Sequence, residues 1–156
     1  MKLVCKGNFC ILLCFFCCSC SSTRGYSGPE LPKNKISTIY FYANPPLEVQ
    51  EMAVDGRTQG FFDLGLEVLP GEHHAWAEFS IKQSECDSDG CAASKYSGKC
   101  DISLRTDAGH SYAIRISGYT DTAYVDVKDR ANDTLAGSGS CRTLDHDYNY
   151  KVIRQR

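Results

Sequence analysis

The residues of this chain best suited to covalent chemistry are its ten cysteines, four of which lie in its second half. Cys86, Cys91, Cys100 and Cys141 are separated by four, eight and forty residues. Zinc sites use closer pairs such as C-x-x-C, which this spacing lacks, so we expect no metal. In an oxidising compartment an even number of thiols predicts two disulfides. Three pairings are open, and we favour Cys86–Cys100 together with Cys91–Cys141.

The first twenty residues have the order of an export signal. Lys2 and Lys6 precede the uncharged run Phe9–Cys18, and a small residue, Ser19, comes before Cys20. Basic, apolar and small residues in this order direct a chain out of the cytoplasm. The run is shorter than the roughly twenty residues that a helix needs to cross the hydrocarbon core of a membrane. We therefore expect the segment before Cys20 to be removed as a signal peptide.

Cys20 and its neighbours resemble the cleavage site of bacterial lipoproteins. A small residue precedes the cysteine, and the polar Ser21 and Ser22 follow it. The resemblance implies cleavage of residues 1–19 and diacylation of the Cys20 thiol, so that palmitate-like chains hold the protein at a membrane. Because no aspartate follows the cysteine, the resemblance also implies sorting to the outer membrane. A soluble secreted product cleaved near Ser22 is the alternative.

Loss of residues 1–19 leaves an acidic chain of single-domain size. The signal carries two of the 17 basic residues, so 15 remain against 19 acidic ones. We expect no nucleic-acid partner, because the chain has no basic stripe. Residues 20–35 are rich in Ser, Gly and Pro and predict a lipid anchor followed by a flexible tether.

From Ile36 onward the apolar residues recur with a period of two, which is typical of half-buried strands. Phe62 to Val68 and Ala75 to Ile81 show this alternation most clearly. Seven or eight such segments without an amphipathic helix predict an all-β antiparallel sandwich over 36–128, with a small barrel as the alternative. A slip in parity between Val49 and Met52 predicts a β-bulge.

Two long segments lack this alternation. Residues 83–99 are polar and predict a long loop, which the favoured disulfides would staple. The tail, residues 129–156, has few apolar residues, and its Tyr148, Tyr150, Val152 and Ile153 predict at most an edge strand.

Four short segments together resemble the PEGA-like β-sandwich of small bacterial envelope lipoproteins. They are Ala53–Arg57, Val68–His73, Thr106–Tyr112 and Ala123–Val127, which supply a VDG turn, an LPGEH hairpin and a Gly-x-x-Tyr turn in the family's order. The resemblance implies a non-enzymatic surface or periplasmic module. It carries over no catalytic residue and no cofactor.

The polar residues that attract attention have a structural interpretation. Neighbours on a strand point to opposite faces, so His73 and His74 are poorly placed to share a metal. His110 follows Asp107 in a turn beside Ser111, where side chains usually bond locally. Glu85, Asp87 and Asp89 imitate the start of a calcium loop, but no closing glutamate follows. We therefore expect no metal site, no cofactor and no enzyme activity.

The exposed aromatic residues are the stronger functional candidates. Tyrosine and tryptophan are enriched where proteins bind one another, and five of them occupy positions opposite the predicted core faces: Tyr40, Tyr42, Trp76, Tyr119 and Tyr124. The main hypothesis is a module that docks an envelope protein or a glycan through this aromatic surface or through the 83–99 loop. The alternative is an inhibitor that inserts this loop into the cleft of a periplasmic or foreign hydrolase.

Overall fold

The structure is a computed structural model that describes residues 23–59, 65–86, 91–119 and 122–151. Cys20 and the first part of the segment predicted from Phe62 lie outside these ranges. Over them the chain forms ten strands and one short 3-10 helix, Lys33–Lys35. The strands in chain order are β1 (Thr23–Arg24), β2 (Ser37–Ala43), β3 (Leu47–Val54), β4 (Arg57–Gln59), β5 (Leu66–Val68), β6 (Gly71–Cys86), β7 (Cys91–Thr106), β8 (Ser111–Tyr119), β9 (Thr122–Asp129) and β10 (Gly137–Lys151).

The strands form two sheets packed face to face, which confirms the predicted all-β sandwich. Sheet I has the order β1-β5-β2-β8-β9, and sheet II has the order β10-β7-β6-β3-β4. Most neighbouring strands are antiparallel, as expected, but β1 runs parallel to β5 and β2 runs parallel to β8. Alternation shows which face of a strand is buried. It does not show which strand becomes its neighbour.

The core lies between the sheets and contains the inward residues that the alternation predicted. Ala75, Ala77, Phe79 and Ile81 of β6 are each at most 2% exposed. Ile114 and Ile116 of β8 face them from sheet I and are fully buried. Burying a large aliphatic or aromatic side chain stabilises the fold by about 1.5–3 kcal/mol, so this shared core accounts for the sandwich.

β3 has the predicted bulge and then ends in a tight turn. Its register against β6 shifts between Val49 and Glu51, which confirms the prediction. Beyond Val54, Asp55 and Gly56 have φ values of 51° and 76° and connect β3 to β4. Two left-handed residues are what a two-residue hairpin turn requires, so this part of the VDG motif has a backbone role.

The prediction of a polar loop over residues 83–99 is wrong. β6 continues to Cys86 and β7 begins at Cys91, with the two strands paired along their whole length. β3 pairs with β6 only as far as Ile81, so the remainder of the hairpin extends past the sandwich, with β10 alongside β7. We call residues 82–86, 91–95 and 147–151 the projecting arm. The arm residues whose exposure the structure describes, 82–84 and 92–95, are not buried, so their sequence shows no alternation.

The favoured disulfide pairing is also wrong. Cys100 and Cys141 are bonded to each other, with their Cα atoms 4.0 Å apart. This bond excludes both Cys86–Cys100 and Cys91–Cys141. The two cysteines lie directly opposite each other in β7 and β10, and Cys100 is fully buried in the core. Because 83–99 is a paired hairpin, the cysteines meet across strands and do not staple a loop.

The segment predicted as a tether is packed against the sandwich from Thr23 onward. β1 pairs with β5, and the Tyr26 ring behind it is only 7% exposed. The Tyr26 hydroxyl accepts a hydrogen bond from the Leu31 amide at 3.0 Å. A segment rich in Ser, Gly and Pro resembles a flexible linker in composition, but here one buried aromatic ring and a two-residue strand hold it in place.

Candidate functional site

Four of the five predicted aromatic residues lie on the outer face of sheet I. On the strands that carry these tyrosines, the inward residues are Ile39 and Phe41 on β2, Ile116 on β8 and Val127 on β9, all of which belong to the core. The intervening positions face outward, because successive residues of a strand point to opposite faces. We call the outward residues Tyr40, Tyr42, Tyr119 and Tyr124 the tyrosine face.

The positions beside the rings of the tyrosine face carry both small and charged side chains. In register, Tyr42 lies opposite Arg115, and Ser117 lies opposite Tyr124. The short side chain of Ala113 lies in the row of Tyr40. Ala113 and Ser117 leave space beside the rings, and Arg115 places a positive charge between them.

The rings of this surface differ in how they are held. Tyr40 and Tyr42 have ring centroids 6.4 Å apart, and the Arg130 guanidinium lies 4.6 Å from the Tyr40 centroid. Tyr119 and Tyr124, at the far side of the sheet, are 71% and 64% exposed. The surface therefore combines the Tyr40–Tyr42 pair, with Arg130 over Tyr40, and two rings that are mostly exposed.

Trp76 lies apart from the tyrosine face. It belongs to β6, and its ring faces outward from sheet II, so the body of the sandwich separates it from the four tyrosines. The Lys99 ammonium lies 3.9 Å from its ring centroid, and the same ammonium is 3.7 Å from Glu78. Trp76 is thus half-buried and already in contact with a cation, and the predicted set of five aromatic residues does not form one surface.

His73 connects two of the turn motifs. Its Nδ1 is 2.6 Å from an Asp55 carboxylate oxygen, and its Nε2 is 2.8 Å from the Leu69 carbonyl oxygen. The other Asp55 oxygen accepts a hydrogen bond from the His74 amide at 3.0 Å. Burial raises the pKa of Asp55, but the hydrogen bonds from His73 and His74 outweigh this effect and lower it overall. The VDG turn and the LPGEH hairpin are therefore bonded to each other.

His110 makes a second pair of this kind at the same end of the sandwich. Its Nδ1 is 2.6 Å from an oxygen of Asp129, which is buried. The Ala131 amide donates to the same carboxylate, and this bond, with the one from His110, lowers the pKa of Asp129 against the opposing effect of burial. Asp107 bonds elsewhere: its amide donates to the Tyr112 hydroxyl, and its carbonyl accepts from Ser37. His110 was identified as a candidate residue from the sequence, but its partner Asp129, which lies nineteen residues away along the chain, was missed.

The remaining polar candidates add no reactive cluster. The His146 ring stacks on Tyr96, with centroids 4.2 Å apart, at the base of the projecting arm. Asp87 and Asp89 lie outside the described residues, as does the side chain of Glu85. Within the described ranges, no three His, Cys, Asp or Glu side chains are grouped as metal ligands would be. Within the same ranges, no helix is long and apolar enough to cross a membrane.

Comparisons of this chain with protein-family models, with curated proteins and with solved structures find no match.

Proposed function

We propose that this protein is a lipid-anchored binding module of the bacterial cell envelope with no catalytic role. Acyl chains on Cys20 hold it in the outer membrane, and a PEGA-like sandwich stands beside the membrane as the binding unit. The tyrosine face docks a second envelope component. The observation that carries the proposal is the gathering of four tyrosines on one outer face of one sheet.

Two features of the structure support this proposal. The Cys100–Cys141 disulfide belongs in an oxidising compartment, which agrees with export. The tyrosine face also has the composition of a protein-binding surface, since tyrosine and arginine are the residues most enriched among binding hot spots. Arg115 and Arg130 lie among its rings. A protein partner is therefore favoured over a glycan.

The anchor is tested by labelling cells with a palmitate analogue. Wild-type protein should incorporate the label, and the Cys20→Ala variant should not. Equal labelling of both forms would reject the anchor assignment.

The docking surface is tested by photocrosslinking in intact envelopes. A photoreactive phenylalanine analogue replaces Tyr119 or Tyr124 in the full-length protein, and Leu69, 47% exposed elsewhere on the sandwich, serves as the control site. We expect both tyrosine positions to capture the same species and Leu69 to capture none. An adduct degraded by protease indicates a protein partner, whereas one degraded by a glycan hydrolase would make the partner a glycan. Equal capture from all three positions would reject the tyrosine face.

The projecting arm favours a second candidate function, inhibition of a hydrolase. A three-stranded arm that extends past the sandwich suits insertion into an enzyme cleft better than a flat face does. Ile81 and Tyr96 are cross-strand partners at the base of the arm. Joining them through Asn-Gly and ending the chain at His146 removes the arm, because Asn-Gly closes a two-residue hairpin. The inhibitor hypothesis requires this variant to lose inhibition of envelope hydrolases. Unchanged inhibition would reject the arm as the inhibitory element.

A further inference from the structure

The N-terminal segment enters the fold at Thr23, and the chain is firmly held from that point. The Thr23 amide donates to the Gly65 carbonyl at 2.8 Å, and the Gly25 amide donates to the Glu67 carbonyl at 2.7 Å. Only two residues separate Thr23 from Cys20. Three residue steps span at most about 11 Å. An acylated Cys20 would therefore hold β1 within about that distance of the lipid, whereas a flexible tether of fifteen residues would average about 20 Å.

The surface beside this entry point is basic. Arg24, Lys33, Lys35 and Arg57 are all exposed, and the Arg57 guanidinium reaches the Ser27 hydroxyl at 3.3 Å, so β4 and the segment after β1 form one surface. Among the described residues of this surface the acidic ones are Glu30, paired with Arg24, Glu67, paired with Lys33, and Asp55, which lies in the turn before Arg57 and is paired with His73. We call this set the basic flank.

The net charge of the basic flank is positive, whereas that of the rest of the protein is negative. It carries four basic and three acidic residues, whereas the remainder of the chain beyond residue 19 carries 11 basic and 16 acidic ones. Charges act over about 8–10 Å at physiological ionic strength. Since the link to Cys20 is no longer than about this distance, the basic flank would lie within electrostatic range of the lipid headgroups.

We propose that the basic flank rests on anionic phospholipid headgroups and so fixes the orientation of the sandwich on the membrane. This inference depends on the acylation of Cys20 that forms part of the proposed function. β9 lies at the opposite edge of sheet I, four strand spacings or about 19 Å from β1. This orientation leaves Tyr119 and Tyr124 on the side away from the lipid, accessible to a partner.

The single tryptophan of the chain makes this orientation measurable. The acylated full-length protein carrying Trp76→Phe is placed in vesicles that contain brominated phosphatidylglycerol, a short-range quencher of tryptophan fluorescence. One variant adds Ser27→Trp on the basic flank. Its matched control adds Leu135→Trp, which replaces a side chain that is 75% exposed beside β9. We expect loss of fluorescence from position 27 and not from position 135. Equal quenching at both positions, stronger quenching at 135, or none at 27 would overturn the proposal.

The contribution of charge is tested in the same vesicles. Lys35→Glu with Arg57→Glu should abolish quenching at position 27, as should high salt or replacement of the anionic lipid by phosphatidylcholine. The control pair Arg105→Glu with Arg142→Glu changes the net charge equally, lies outside both the basic flank and the tyrosine face, and should leave quenching intact. Quenching that survives reversal of the flank, or that both pairs abolish equally, would overturn the headgroup contact. The mass of the purified protein reports acylation separately, so loss of the anchor is distinguishable from a wrong orientation.

Discussion

Asp55 and Asp129 each hold a turn at the end of the sandwich that carries His73 and His110. Each carboxylate accepts one hydrogen bond from a histidine ring and one from a backbone amide. A carboxylate in this setting is stabilised in its charged form, which agrees with the lowered pKa of both groups. The stability of this end of the sandwich therefore depends on pH.

The free energy of unfolding should fall in acid because of these two carboxylates. In the folded state their pKa values lie below the ordinary value of 3.8. Their contribution to the free energy of unfolding is therefore complete above about pH 3.8, and it is lost as the pH falls through the lowered pKa values. Chemical denaturation at a series of pH values measures this dependence. Asp55→Asn keeps the shape of the side chain, and asparagine tolerates its left-handed φ of 51°. This variant should lose less stability between pH 4 and pH 2 than the wild type, and an identical pH profile would contradict the assignment.

The Cys100–Cys141 disulfide should make a large contribution to stability. It connects residues 41 positions apart, and a closed loop of that length corresponds to about 4 kcal/mol in the chain-entropy account. Replacing both cysteines by alanine should lower the free energy of unfolding by about 2–4 kcal/mol in urea titrations. Cys86→Ala with Cys91→Ala is the control, because a bond between them would close a much shorter loop. An equal or greater loss from the control would contradict this ranking.

At the scale of elements, the sequence was informative wherever a strand has one buried face. The alternation of Ala75 to Ile81 predicted both a strand and its inward residues, and the parity slip after Val49 predicted the bulge. The same reasoning failed over 83–99, because the arm residues whose exposure the structure describes, 82–84 and 92–95, are not buried in the core. It also could not show that β2 and β8 run parallel, since strand neighbours are chosen by contacts distant in sequence.

The hairpin register leads to a different cysteine pairing from the one first expected. Cys86 and Cys91 occupy directly opposed backbone positions where β6 meets β7, and the other two downstream cysteines are bonded to each other. We predict a Cys86–Cys91 disulfide, which peptide mapping under non-reducing conditions will detect as one linked pair. Free thiols at both positions, or a link from Cys86 to Cys100, would contradict this pairing.

At the scale of the whole molecule, the aromatic surface was only partly predictable. Alternation placed all five aromatic side chains opposite the core, but it could not assign their strands to sheets. Tyr40, Tyr42, Tyr119 and Tyr124 share sheet I, while Trp76 lies on the outer face of sheet II, across the core. The histidine–aspartate pairs were missed for a related reason, since each joins positions eighteen or nineteen residues apart.

We expect exposed tyrosines to affect binding and buried tyrosines to affect stability. Tyr124 is 64% exposed, so Tyr124→Ser should change the free energy of unfolding by no more than about 0.5 kcal/mol. It should nevertheless abolish capture of a partner from the photoreactive analogue at position 119. Tyr112 is 2% exposed, and its hydroxyl accepts the Asp107 amide at 2.8 Å. Tyr112→Phe should therefore cost about 1–3 kcal/mol by leaving that amide unpaired, while the tyrosine face keeps its partner.

Urea titration and photocrosslinking of the same two variants measure both effects. The opposite pattern, with Tyr124→Ser destabilising the fold and leaving capture intact, would make the outer rings part of the scaffold. Binding would then have to lie elsewhere on the molecule, and the projecting arm would become the leading candidate. Loss of capture from Tyr124→Ser at unchanged stability would instead identify the outer face of sheet I as the surface that the partner contacts.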